Sequence, residues 1–425
     1  MDRLTSCAVS LSILLGIGAS PLVAHAAVPG VTDNSIVLGQ SAAFSGPAAR
    51  LGQSMREGLN VYFARINAEG GVNGRRIELV SLDDGYEPDR AVPNTQRLIS
   101  QDKVFALIGY VGTPTSYAVI PTVSQAQVPF LGAFTGAEGL RSPFNRYIFN
   151  VRASYFDETE RLVEFLVSQR KKKIAVFYQN DSYGKAGLEG VKRAMERRNL
   201  TIAALGTVER NTVEVDQAVK RISASTPDGI IMISAYKSCA AFVKGMNKTG
   251  QAPDYLNVSF VGSEALAGEL GTEGHGVMIS QVVPYPWDPS SSIAMEFSRD
   301  IARVAPEVKP SFNNLEGYIV AKTFVEALQR AGKDLTREKL ITALESMKQI
   351  DFGGFNLSFS PTNHNGSQYV GLTLIVGSKG GFLPVLEDAR LARSRSGGMG
   401  AVAAARNAPD TSDLRKAALR GAPPR

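Results

Sequence analysis

Hydroxyl-bearing side chains follow a short apolar segment near residue 110. Residues 104–108 are continuously apolar, which is typical of a strand buried on both faces. The loop after them contains Thr113, Thr115 and Ser116, and Pro114 suits the first turn of a helix that begins there. A helix N-terminus offers unpaired N–H groups and a partial positive charge, so this loop is suited to hold the carboxylate of a small ligand.

A second apolar segment ends in the same way. Residues 128–131 predict another short strand, and Ala133, Phe134 and Thr135 follow it. Because parallel strands present their carboxyl ends at one edge of a sheet, we expect the two loops to meet there. On this stretch alone two interpretations stay open, namely a carboxylate site and the ordinary turn residues of an α/β protein.

Further polar and aromatic residues stand at the ends of other predicted strands. Ser45 follows the first strand, and Tyr183, Tyr236 and Glu264 follow three later ones. A zwitterionic ligand would suit this set, since hydroxyl and N–H groups can hold its carboxylate and Glu264 can hold its ammonium by a charge-assisted bond. Each tyrosine can equally serve packing, and Glu264 can equally cap a neighbouring helix.

The spacing of apolar residues places these loops in two α/β units. Strands and helices alternate from residue 35 onward, and the pattern restarts near Asn150. The connections are long enough for parallel pairing, so the sequence predicts two Rossmann-like, doubly wound units of similar size. In the second unit we expect a strand at 258–261. Late strands are predicted at 355–359 and 371–376.

Both ends of the chain are set apart by composition. Residues 1–26 combine Arg3, an apolar run at 11–17 and a small-residue ending at Ala26, which predicts a cleavable signal peptide and export. Residues 389–425 hold eight basic and two acidic residues without periodicity, so we expect a disordered basic tail. The remaining body has 37 basic and 37 acidic residues and therefore gives no argument for nucleic acid. The signal's apolar run is too short for a membrane span.

The residue types that catalysis needs are scarce. After removal of the signal only Cys239, His275 and His364 remain of the cysteines and histidines, without metal-ligand spacing or a nucleophile–base pattern. No phosphate-binding glycine motif and no nucleophile elbow occur in the sequence. Asp83 and Asp84 form a carboxylate pair, but a strand-end turn explains them better than metal or acid–base chemistry. The sequence therefore predicts no enzyme, no cofactor and no metal.

Several short motifs in order resemble one known family. They are the segments 45–47, 66–74, 83–88, 109–116, 182–184 and 262–264. In this order they resemble the periplasmic substrate-binding proteins of the leucine/isoleucine/valine type, which have the type I periplasmic-binding fold. The resemblance covers about residues 31–385. It implies two lobes that are joined by three crossover strands and close on a ligand like a hinged trap.

The resemblance also implies domain limits and roles for residues. We expect the first lobe at 27–150 plus 282–354 and the second at 151–281 plus 355–388, with crossovers near Val151, Gln281 and Phe355. Thr113, Ala133 and Thr135 match positions that contact the carboxylate of an amino acid. Tyr183 and Tyr236 match tyrosines beside the side chain and the ammonium group, and Glu264 matches the ammonium carboxylate.

This sequence also departs from the family's pattern near the apolar end of the ligand. Leu51 occupies a position that is often aromatic, and Arg152, Tyr285 and Trp287 stand near predicted crossovers. An aromatic or amide ligand is therefore an alternative to a small amino acid.

Two functions from different classes follow from these observations. The first is a monomeric periplasmic receptor, not inserted in the membrane, that delivers an amino acid or related carboxylate to the permease of an ABC importer. The second is a sensor of the same fold that binds an amide or aromatic acid and signals to a partner.

Overall fold

The computed structural model describes residues 28–377 and 380–385. The predicted signal peptide at 1–26 and the predicted basic tail at 389–425 lie outside the described residues. The described helices are α1 Ala49–Ala68, α2 Pro88–Ser100, α3 Thr113–Ala126, α4 Tyr155–Ser168, α5 Ser182–Glu196, α6 Asp216–Ser223, α7 Tyr236–Asn247, α8 Ser263–Leu270, α9 Ser292–Val304, α10 Phe312–Ala331 and α11 Arg337–Glu345. The described strands are β1 Ser35–Ala42, β2 Arg76–Asp83, β3 Ala106–Ile108, β4 Phe130–Leu131, β5 Ile148–Phe149, β6 Ile174–Gln179, β7 Leu205–Val208, β8 Gly229–Ile233, β9 Asp254–Asn257, β10 Met278–Gln281, β11 Ile350–Asp351, β12 Asn356–Leu357, β13 Gly371–Val376 and β14 Gly381–Pro384.

The first lobe is built on a parallel sheet in the order β2-β1-β3-β4-β5. Apolar residues of α2 and α3 pack together near one face of this sheet, while α1 packs against α9 and α10. Burial on both sides explains why the strand at 104–108 shows no polar alternation in the sequence.

The second lobe is built on a larger sheet in the order β14-β13-β10-β9-β8-β6-β7. Its five strands from β10 to β7 are parallel, and β13 and β14 add an antiparallel edge. Two α/β lobes with parallel sheets confirm the predicted fold class.

Two chain segments run side by side where the lobes join. The first crossover follows β5, and Asn150 in it forms a parallel bridge with Asn365. Residues 356–366 lie against first-lobe elements, since β12 pairs with β11 and Phe149 packs on Phe359 with ring centroids 5.4 Å apart. These contacts place residues 356–366 beside the first lobe, and the third crossover near Phe355 stays a prediction.

One predicted strand of the second lobe is wrong. A strand was expected at 258–261, but the strand of this region is β9, which ends at Asn257. Ser259–Val261 is a single 3₁₀ turn. The backbone N–H of Ser259 donates to the carboxylate of Glu158 at 2.7 Å, and Gly262 has a φ of 82°, so both ends of the turn leave the sheet. This turn places Phe260 in the space between the lobes.

Helices α1 and α10 cross at backbone contact. A Cβ on Gly58 would lie 1.8 Å from the carbonyl oxygen of Asn314, and one on Gly317 would lie 2.3 Å from that of Met55. Only glycine allows this approach, which brings the middle of α10 close to the first sheet.

We predict that Gly58→Ala lowers the free energy of unfolding by about 1–3 kcal/mol, because the added methyl forces the two helices apart. The measurement is equilibrium unfolding in urea. The control is Gly268→Ala in α8, where an added Cβ meets nothing within 4 Å. The control should be neutral or gain up to about 1 kcal/mol from helix propensity. Equal effects of the two changes would contradict the close crossing.

Candidate functional site

The loops after β3 and β4 meet at the edge of the first sheet. The hydroxyl oxygens of Thr113 and Thr135 lie 2.6 Å apart, and both residues are fully buried. The loop before Thr113 depends on Gly112, which has a φ of 105° and would place a Cβ 2.2 Å from the ring of Tyr86. The expected meeting of the two loops is therefore present in the fold.

A hydroxyl from the second lobe extends this pair. The Thr135 hydroxyl donates to the hydroxyl of Tyr155 at 3.3 Å, and Tyr155 is the first residue of α4. Hydroxyl groups from both lobes are thus linked in one buried chain.

Five aromatic rings surround these hydroxyls. The Phe260 centroid lies 4.5 Å from that of Tyr183, 5.4 Å from that of Phe134 and 5.8 Å from that of Tyr86. The rings of Tyr155 and Tyr183 are 5.5 Å apart. Tyr86 and Phe134 belong to the first lobe and the other three to the second, so the rings close the space between the lobes.

A buried arginine lies beside the rings. The Arg152 guanidinium lies 4.6 Å from the centroid of the Phe134 ring, and the side chain is 1% exposed. Its Nε is 3.4 Å from the carboxylate of Glu316 on α10, and its Nη2 is 3.9 Å from that of Glu158 on α4. Nη2 also donates to the Ser259 hydroxyl. The Arg152 guanidinium thus contacts residues of both lobes at the first crossover.

We call these residues the interlobe cluster. It consists of Tyr86, Thr113, Phe134, Thr135, Arg152, Tyr155, Tyr183 and Phe260.

The interlobe cluster contains buried donors without acceptors. Within the described residues, Nη1 and Nε of Arg152 and the hydroxyl of Tyr183 have no hydrogen-bond partner. The contact from Nε to Glu316 is an ion pair without hydrogen-bond geometry. Unpaired buried donors cost about 1–3 kcal/mol each, so this site is chemically incomplete without an acceptor.

The two glutamates beside Arg152 differ in their environment. Glu158 accepts from the Ser259 N–H at 2.7 Å and from the Ser280 hydroxyl at 2.6 Å, which partly offsets the burial that raises its pKa. Burial raises the pKa of Glu316 to about 7, with Arg152 opposing the rise and Glu158 adding to it. Burial thus raises the pKa of both carboxyl groups, and Glu316 can carry a proton near pH 7.

We predict that Glu316 makes the protein less stable as the pH rises. Its folded pKa of about 7 lies above the unfolded value of 4.5, so the folded state binds more protons between these values. The free energy of unfolding should fall by roughly 3 kcal/mol on its account as the pH passes from below 4.5 to above 7.

Urea unfolding at several pH values between 4.5 and 8 measures this fall. Glu316→Gln should reduce the fall, whereas Glu326→Gln, at the surface end of the same helix, should keep it. Identical pH profiles for Glu316→Gln and the unmodified protein would contradict the prediction.

The other predicted site residues lie in different places relative to the hydroxyl pair. The Ser45 hydroxyl is at the surface and donates to the Asp83 carboxylate at 2.6 Å. Ala133 is buried after β4, and its carbonyl accepts from the Thr135 N–H at 2.8 Å. Tyr183 belongs to the interlobe cluster, and Tyr236 is buried at the start of α7.

Glu264 lies at the N-terminus of α10. Its carboxylate accepts from the Phe312 N–H at 2.9 Å, and burial raises its pKa to about 7. Together with Arg50 and Lys309 it lines a cavity of about 360 Å³ between the lobes. Glu264 therefore caps α10, and its role toward a ligand stays a prediction.

Polar contacts join the lobes at the rim of the cleft. Arg210 of the second lobe pairs with Glu87 of the first at 2.8 Å, and the Asn211 amide donates to the same carboxylate at 2.7 Å. The Gln179 amide donates to the Tyr86 hydroxyl at 3.2 Å. The described structure is thus a closed arrangement of the two lobes.

Sequence reasoning missed Tyr86, Tyr155 and Phe260 as members of the cluster. Tyr86 has a φ of 67°, and Phe260 lies in the turn that was expected to be a strand. Arg152 was noted only as a residue near a crossover. Its signal was a charged residue between apolar neighbours, Val151 and Ala153, with Glu158 six residues later.

Comparison with known proteins decides the family. A sequence profile described as periplasmic binding protein matches residues 35–380. The chain belongs to the periplasmic binding protein family. The predicted resemblance is confirmed, and the family makes this chain a ligand-binding receptor that acts outside the cytoplasm.

Relatives and solved structures of this periplasmic binding protein agree with the family. It is 26% identical over 370 residues to a Leu/Ile/Val-binding protein homolog 7 of Brucella suis, covering 83% of this chain and 91% of the relative. A crystal structure of a possible leucine/isoleucine/valine-binding protein from Rhodopirellula baltica matches with 34% identity and a TM-score of 0.79, over 85% of this chain and 98% of that one. A substrate-binding periplasmic protein from Ralstonia solanacearum matches with 30% identity and a TM-score of 0.78, over 83% and 100%.

Two features are absent from the described residues. In 28–377 and 380–385, no helix has the length and apolar character that crossing a membrane requires. The same part of the chain holds no group of three or more His, Cys, Asp or Glu residues arranged for a metal ion.

Proposed function

We propose that this periplasmic binding protein captures a small amino acid or related carboxylate between its lobes and delivers it to the permease of an ABC importer. The observation that carries the proposal is the set of buried donors in the interlobe cluster. Within the described residues, N–H groups of Arg152 and the hydroxyl of Tyr183 have no acceptor. Arg152 lies over the ring of Phe134, and Tyr183 packs beside Tyr155, which bonds to Thr135. A carboxylate brings acceptors and no donors, so it complements this set.

The names of similar proteins support a small organic ligand. The Brucella suis relative is named for leucine, isoleucine and valine, and a Pseudomonas aeruginosa relative, 25% identical over 240 residues, is named an amino acid binding protein. Both lobes of one chain form the cluster, so we propose that the receptor works as a monomer. A cleavable signal peptide at 1–26 and a role without catalysis complete this proposal.

The proposal is tested by a thermal-shift screen of amino acids, amides and organic acids on the protein from residue 27 onward. Ligand at a hundredfold excess over its Kd should add about 2.7 kcal/mol of stability. No shift with any carboxylate, from amino acids or other acids, would refute carboxylate capture. Conversion of a bound compound into a product would refute the role without catalysis.

Delivery is tested in cells that carry the genes of the candidate permease and ATPase. Loss of this protein should abolish uptake of the ligand that the screen identifies. Unchanged uptake together with a changed response to the ligand would favour the sensor.

We predict that Thr113→Val weakens carboxylate binding by about tenfold, because it leaves the shape unchanged but removes the hydroxyl that bonds to Thr135 at 2.6 Å and so orients the chain from Thr135 to Tyr155. Isothermal titration calorimetry with the best ligand of the screen measures the change. The control is Thr95→Val, which removes a buried hydroxyl that bonds to Tyr110 at 2.9 Å inside the first lobe. The control should keep the affinity of the unmodified protein. Equal affinity of Thr113→Val and the control would remove Thr113 from the site.

A further inference from the structure

We propose that Arg152 is the charge partner of the ligand's acidic group, and that the receptor therefore selects apolar or aromatic organic acids without requiring an α-amino group. This inference rests on the proposed capture of a carboxylate and adds the class of acid.

Arg152 has hydrogen-bonding capacity that the described residues do not use. A guanidinium has five N–H donors in a planar fork that fits a carboxylate. Here only Nη2 has a hydrogen-bond acceptor, the Ser259 hydroxyl, while Nη1 and Nε have none within the described residues. Since the side chain is only 1% exposed, bulk water does not accept hydrogen bonds from these N–H groups. A ligand oxygen would satisfy them with charge-assisted bonds.

Two further hydroxyls lie near this charge. The rings of Tyr155 and Tyr183 are 5.5 Å apart, and the Tyr183 hydroxyl has no partner in the described structure. Tyr155 in turn accepts from Thr135 of the first lobe at 3.3 Å. An acid held by Arg152 could thus accept from hydroxyls of the second lobe that are bonded in turn to the first.

The two carboxylates beside Arg152, those of Glu158 and Glu316, are held differently. Glu158 is held by the Ser259 N–H and the Ser280 hydroxyl, so it remains a fixed partner of Arg152. Glu316 makes only a 3.4 Å ion contact to Nε, and its pKa of about 7 lets it carry a proton. A protonated Glu316 leaves Arg152 with charge and donors for the ligand.

An ammonium group would have to share carboxylates that already have cationic neighbours. Glu264 accepts from the Phe312 N–H and shares its cavity with Arg50 and Lys309, which disfavours a further cation there. Among the described residues, the carboxylates that contact Arg152 are Glu158 and Glu316, and both already face this cation. An amino group placed beside Arg152 would therefore compete with that cation for the same two carboxylates.

The body of the ligand follows from the five rings. Neighbouring rings of Tyr86, Phe134, Tyr155, Tyr183 and Phe260 pack with centroids 4.5 to 5.8 Å apart in this closed arrangement. When the lobes separate, these rings would expose apolar faces that suit a flat or branched hydrocarbon body.

The experiment compares three matched ligands by isothermal titration calorimetry on the whole chain from residue 27. They are 3-phenylpropanoate, L-phenylalanine and 3-phenylpropanamide, with 4-methylpentanoate and L-leucine as an aliphatic pair. We expect each acid to bind at least about tenfold more tightly than its amino acid, and the neutral amide not to bind. Tighter binding of the amino acids would overturn this inference and leave the proposed capture of a carboxylate intact. Absence of binding by all acids and amino acids of the wider screen would instead refute the proposed function.

Variants then locate the charge partner. Arg152→Gln should weaken binding of the acid by about 10- to 100-fold. The affinity of Arg152→Lys should lie between that of the unmodified protein and that of Arg152→Gln, since lysine keeps the charge but lacks the planar guanidinium. The control is Arg337→Gln, because Arg337 donates to the carbonyl groups of Val104 and Phe105 away from the interlobe cluster. The control should keep the affinity. Unchanged affinity of a folded Arg152→Gln protein would overturn the inference.

A further variant covers the case in which Arg152→Gln does not fold. Glu316→Gln removes the competing carboxylate and should raise the affinity for the acid severalfold. A loss of affinity in Glu316→Gln would overturn the inference.

Discussion

Burial of the Arg152 guanidinium is the constraint on which the junction of the lobes depends. A charge removed from water must be compensated by partners in its surroundings. Here the partners come from different parts of the chain: Glu316 from α10, and Glu158 and Ser259 from the second lobe. Their compensation is incomplete, since two guanidinium nitrogens lack acceptors within the described residues. The lobes are thus joined by a site that still has capacity for an anion.

Helix α10 connects this junction to the rest of the first lobe. Glu316 faces Arg152, the neighbouring Gly317 lies against the backbone of α1, and Phe312 at the start of the helix donates its N–H to Glu264. A shift of α10 would change all three contacts together, because close packing leaves no free space between α1 and α10. The helix therefore couples the position of a charged side chain to the geometry of both lobes.

Sequence patterns predicted the architecture because it follows from local rules. Short apolar runs such as residues 104–108 indicate buried parallel strands, and parallel strands bring the loops of Thr113 and Thr135 to one edge. The same rules do not predict contacts that form between distant segments. Phe260 reaches the cleft through a turn held by Glu158, a residue 101 positions earlier than the Ser259 N–H that it accepts from. The contact of Glu264 with Phe312 likewise depends on tertiary placement, and local spacing allowed a ligand role and a capping role equally.

The contacts at the rim of the cleft have a consequence for how the receptor releases what it holds. Arg210 and Glu87 form an ion pair whose side chains are 24% and 40% exposed, and pairs at such exposure contribute only about 0–1 kcal/mol. The rim therefore adds little to the strength of closure, and most of the free energy that keeps the lobes together must come from the interior. A partner that separates the lobes therefore has no strong surface contact to break. A partner that binds each lobe separately can replace these weak surface contacts with contacts of its own. The captured ligand is then exposed to water again.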